Sequence, residues 1–92
     1  MGLNADDVRD VVFSRSRLGR VRYTESEVDA FLGLIEATLR GTGSLTAGDV
    51  ARVDFSTPPR GRAGYRADDV DAFLGRAEAV LTELEAQEST DG

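Results

Sequence analysis

The chain reads as an all-α protein made of two tandem units, each a short helix, a loop and a long helix, that pair through a short coiled-coil-like seam. Three observations predict this. Residues 3–39 recur at 45–81 with one constant offset and no gap. Each copy closes with apolar residues at helical spacing, and the stretch between its two helical patterns is rich in Ser, Gly and Arg, with Pro in the second copy.

The repeat governs the rest of the reading. Laid over each other, the copies keep Leu3/Leu45, Val8/Val50, Phe13/Phe55, Ser14/Ser56, Gly19/Gly61, Arg20/Arg62 and Tyr23/Tyr65. They also keep Val28-Asp29-Ala30-Phe31-Leu32-Gly33 as Val70-Asp71-Ala72-Phe73-Leu74-Gly75. Surface and apolar positions match together, which marks duplication of a folding unit rather than shared composition. The units span 1–43 and 44–88, with a tail at 89–92 that has nothing apolar to bury. One copy of about 40 residues is too thin to cover both its helix faces, so the copies are expected to pack on each other or on a second chain.

Each copy opens with an N-cap followed by an acidic N3 residue: Asn4 with Asp7, and Thr46 with Asp49. Val8 and Val11, and likewise Val50 and Val53, form an apolar edge behind the cap. A short helix is predicted in each. From Phe13 or Phe55 to Tyr23 or Tyr65 an ordered loop is expected, pinned by aromatics at both ends. Pro58-Pro59 denies a helix there through the missing N–H groups and the restriction on the preceding residue.

Thr24 to Glu27 has capping-box spacing, and Val28, Phe31, Leu32, Ile35 and Leu39 fall on one face behind it. A helix from about 25 to 40 is predicted, closed by Gly41-Thr42-Gly43. Val70, Phe73, Leu74, Ala77, Leu81 and Leu84 continue the stripe in copy two, behind Asp68 and Asp69. Arg66 stands where Thr24 caps, so this second start is predicted to be weaker. The seven-residue steps from Val28 to Ile35 and from Val70 to Ala77 predict a seam through Val28, Phe31, Leu32 and Ile35 against Val70, Phe73, Leu74 and Ala77. Gly33 and Gly75 interrupt these helices at a cost of about 1 kcal/mol each relative to Ala. Either a partner backbone approaches closely there, or both copies carry a tolerated exposed Gly.

Composition narrows the function. With 92 residues, no Cys and no His, the chain has no disulfide, no thiolate or imidazole metal ligand and no His-activated nucleophile. Its carboxylates crowd first helical turns, where caps and helix dipoles account for them. A non-catalytic protein without cofactor or metal is expected. No apolar run reaches the roughly 18 residues of a membrane span and no signal core opens the chain, so a cytoplasmic location is expected. Net charge is −6 and every basic residue is Arg. Arg15, Arg17, Arg20 and Arg22 crowd one loop, and Arg60, Arg62 and Arg66 its counterpart, as basic spots on an acidic body.

Phe55-Ser56-Thr57-Pro58-Pro59-Arg60-Gly61-Arg62-Ala63-Gly64-Tyr65, followed by Asp69-Val70-Asp71-Ala72-Phe73-Leu74, resembles the N-terminal domain of the DivIVA family, the cell-division and polar-growth scaffolds of Gram-positive bacteria. Copy one carries the same pattern from Phe13 to Tyr23 and from Glu27 to Leu32. The resemblance implies a parallel coiled-coil pair with crossing loops whose tips present an apolar residue beside a basic one to the membrane. Carried over by position, the tip residues are Arg17, Leu18 and Arg20 in copy one and Arg60 and Arg62 in copy two. Two departures stand out: Arg60 replaces the large apolar tip residue in copy two, and Arg22 takes the place of the Gly that Gly64 keeps. A filament-forming scaffold with the family's long coiled-coil rod is not expected.

Three functions remain open at this point. One is a DivIVA-like adaptor that binds a protein partner, and an anionic inner-membrane surface through its Arg loops, as a single chain or a homodimer. Another is a structural pairing module without lipid affinity. The third, nucleic-acid binding, is disfavoured by the negative charge and the lack of an aromatic-lined basic face. The plain alternative for the Arg loops is solvated charge, or weak ion pairs to Glu25, Glu27, Asp68 and Asp69; for Phe31, Phe73, Tyr23 and Tyr65 it is core packing.

Overall fold

The computed structural model describes residues 3–17 and 21–90. In chain order the elements are α1 (Ala5–Asp10), β1 (Arg15–Ser16), β2 (Arg22–Tyr23), α2 (Glu25–Leu39), α3 (Ala47–Arg52), β3 (Gly64–Arg66) and α4 (Ala67–Thr90). Both short helices start with a full capping box, Asn4 with Asp7 and Thr46 with Asp49. Helix α2 ends where Gly41 takes φ 92°, a left-handed conformation that Gly adopts without a Cβ penalty. Arg40 at the end of α2 reaches Asp6 at the start of α1, so the two packed helices run antiparallel. In copy two, Glu85 far along α4 likewise accepts from the Ala47 N–H at the start of α3.

The all-α expectation is corrected by a three-stranded antiparallel sheet in the order β1-β3-β2. The segments read as loops pair across the repeats: Arg15 opposite Tyr65, Ser16 opposite Gly64, Arg22 opposite Arg66 and Tyr23 opposite Tyr65. These strands are two or three residues long, too short to show the alternation by which a strand is recognised, and their partners lie far away in sequence. Strands β1 and β2 flank β3 and run the same way, so the chain must cross β3 to pass from one to the other. A fourth strand would be expected by repeat symmetry at 57–58. There Pro58-Pro59 offers no N–H to a ladder, and the pairing stops at Ser56, whose carbonyl accepts from Thr24 N–H at 2.9 Å.

The residues expected to form the seam between the long helices lie in one core that both repeats share. Close backbone packing joins α1 to α2 and α3 to α4. The two phenylalanines assigned to the seam are taken up by loop aromatics of the opposite repeat. Phe31 meets Phe55 edge-on at 5.8 Å, and Phe73 meets Phe13 at 5.7 Å. Val28, Ile35, Val70, Phe73, Leu74 and Ala77 are buried, with Phe31 and Leu32 half-buried against the same core, which draws on both repeats. The molecule is elongated, 51 × 23 × 21 Å.

Candidate functional site

The sheet end is built by reciprocal contacts that obey the repeat. Tyr23 donates to Asp71 at 2.8 Å, and Tyr65 to Asp29 at 2.7 Å. The Phe13 and Tyr65 rings lie 5.3 Å apart, and those of Phe55 and Tyr23 5.2 Å. Burial first, and then the hydrogen bond to a carboxylate, raises both phenols; Tyr23 is pushed up to about 12.

The helix starts are held in trans by the same rule. Thr24 makes no side-chain cap, against the capping box its spacing suggested. Its hydroxyl donates instead to Ser56 O at 2.8 Å, while Glu27 accepts from Ser56 N–H and Oγ. In the other copy Arg66 N–H donates to Ser14 O, and Asp69 accepts from Ser14 N–H at 3.0 Å. The Ser56 hydroxyl and then its N–H hold Glu27 below the usual carboxylate range, and the Ser14 N–H does the same for Asp69. Loops and helix starts of opposite repeats are thus one hydrogen-bonded unit.

On that unit the arginines separate into two populations. Arg9, Arg40 and Arg52 on the helices pair with carboxylates, Arg76 on α4 is exposed without an ion pair among the described residues, and Arg15 meets Glu25 at 3.0 Å while lying over the Tyr65 ring. Arg17, Arg60 and Arg62 are exposed, and no carboxylate of the described residues lies within ion-pair distance of them. Ion pairing to acidic helix starts therefore accounts for Arg15 and not for the loop tips. Arg66 in β3 is half-buried, and its Nε has no hydrogen-bond partner among the described residues. Val21, 70% exposed, stands just before β2 at the same end. Leu18 and Arg20 lie outside the described residues.

Arg22 reads in the sequence only as a departure from the Gly of the other copy, and the structure gives it a role that this pattern does not show. It is 8% exposed, the one buried charged residue among those described. Its Nε donates to Arg62 O at 3.1 Å and its Nη2 to Pro59 O at 3.2 Å, with Pro58 O at 3.5 Å. The available signal was the mismatch itself, a long cation where the repeat elsewhere has no side chain.

A concavity of about 550 Å³ lies toward the far end of α2, lined by Thr38, Leu39, Leu45, Leu81, Leu84 and Glu85 among others. No group of three or more metal-ligating side chains occurs among the described residues. No helix of the described residues is long and apolar enough to cross a membrane. No protein-family model, curated protein or solved structure matches the chain.

Proposed function

We propose that this chain is a non-catalytic, DivIVA-like adaptor of bacterial cell division or polar growth, whose arginine-bearing loops rest on an anionic membrane surface while its helical body serves a protein partner. The observation that carries the reading is the cluster of exposed arginines without carboxylate partners, Arg17, Arg60 and Arg62, at one end of a chain with net charge −6. The crossed, reciprocal contacts of the two loops add support, because the DivIVA resemblance implies crossing loops. Here both copies of one chain supply them.

Each basic residue contributes about 1 kcal/mol near an anionic surface, and one buried Leu about 2 kcal/mol. The loops alone therefore give weak binding, and a dimer or a membrane-held partner would have to add avidity. Sedimentation with vesicles of phosphatidylglycerol, beside phosphatidylcholine vesicles and a DNA titration, tests the reading. Weak, salt-sensitive binding to the anionic vesicles is expected, falling on Leu18→Ser more than on Arg60→Ser. No binding at any lipid concentration would leave the soluble pairing module, and DNA binding in its place would favour the nucleic-acid reading.

A further inference from the structure

We infer that Arg22 is a positioning residue: its guanidinium pre-orders residues 58–62 into a rigid basic tip, so that ionic docking falls to the loop of copy two. This rests on the proposed anionic contact for its use, and on hydrogen-bond geometry for its existence. A buried guanidinium without a carboxylate is costly unless its N–H groups find acceptors. Here the acceptors are main-chain carbonyls of a single loop, those of Pro59 and Arg62, with Pro58 at the limit.

That loop needs an outside support. Pro58 and Pro59 carry no N–H, so the strand ladder cannot hold this stretch, and inside it Arg62 N–H donates to Pro59 O at 3.0 Å. Arg22, rooted in β2 and buried, spans the turn from beneath and fixes the backbone that carries Arg60 and Arg62. At the same offset in copy two stands Gly64, which has no side chain to return the clamp to the first loop. Space enforces the difference: a Cβ at Gly64 would sit 2.7 Å from Tyr23 O and 2.8 Å from Pro58 Cγ. The duplicated module is therefore asymmetric at the one end where the copies otherwise mirror each other.

The charge-preserving change Arg22→Lys separates this from a loss of charge, because an ammonium cannot supply the planar fork of donors. In the full chain, amide relaxation and hydrogen exchange at residues 60–62 are measured for the parent, Arg22→Lys and Arg22→Gly, together with sedimentation on phosphatidylglycerol vesicles. Expected is faster exchange at 60–62 in both variants with the helices unchanged, and binding about tenfold weaker for Arg22→Lys despite equal charge. Adding Arg60→Ser to Arg22→Lys should weaken binding by less than it does in the parent, since the tip is already disordered. Unchanged exchange at 60–62 in Arg22→Lys overturns the inference. So does parental affinity of that variant where the parent binds. A parent that binds no vesicle ends the membrane reading instead, and the amide measurements then decide Arg22 by themselves. If Arg22→Gly fails to fold, Arg22→Lys carries the test.

Discussion

The hydroxyl of Tyr23 donates to the carboxylate of Asp71 at 2.8 Å, tying the end of the first loop to the first turns of the second long helix. Tyr65 and Asp29 make the same bond in reverse. Removing one hydroxyl by Tyr23→Phe or Tyr65→Phe leaves an exposed carboxylate that water can re-solvate, so each should cost about 1 kcal/mol in urea unfolding. The paired variant should depart from the sum, because Tyr23 and Tyr65 face each other across β2 and β3.

Burial of Tyr23, with its bond to Asp71, makes the fold sensitive to base. Tyr23 is pushed up to about 12, chiefly by burial, so its contribution is complete below the unfolded phenol value of about 10 and disappears as pH rises toward 12. Thermal melts of the parent should fall over that window. Tyr23→Phe should show a shallower fall.

At the acid end the sign is opposite. Glu27 and Asp69 are held low by Ser56 and Ser14, so their contributions are present above the unfolded carboxylate values and fade as pH drops through the lower folded ones. The melting temperature should decline below about pH 4. Glu27→Gln should lower stability at neutral pH and flatten that decline; an unchanged slope would remove Glu27 from the account.

Phe73 is buried against Phe13, and Phe31 is half-buried against Phe55. Truncation to Ala should cost about 3 to 5 kcal/mol at Phe73 and less at Phe31. In a domain of this size the first loss is most of the stability available. Urea midpoints of the two variants give the order.

Three glycines should respond in opposite senses. Nothing lies within 4 Å of a Cβ built at Gly33 or Gly75, so no other backbone among the described residues approaches them closely. Gly33→Ala and Gly75→Ala should each raise stability by about 0.5 to 1 kcal/mol. Gly64→Ala meets Tyr23 O, a backbone atom that cannot swing aside, and should destabilise. If either helix variant instead loses a partner protein while gaining stability, the glycine serves an interface.

Much of this protein was legible in its sequence because the deciding interactions are local. The Asn4–Asp7 and Thr46–Asp49 boxes, the extent of α2 and the left-handed Gly41 depend on residues within one turn of each other. The apolar stripe needs only its spacing, which is why Val28, Ile35, Val70 and Ala77 were picked out in the sequence. The ungapped repeat announced a symmetric pair before any contact was known.

What only the tertiary structure decided is where groups of opposite repeats meet. Thr24 and Glu27 have the spacing of a local box, yet Ser56 takes both, since the chain brings it within 3 Å from 29 or more residues away. The sheet arises the same way, from strands too short to carry a period of their own. Arg22 looks in the sequence like one more member of a basic run. Its burial under Pro58-Pro59 follows from the crossing of two loops, and a crossing is a relation between distant segments that no local pattern encodes.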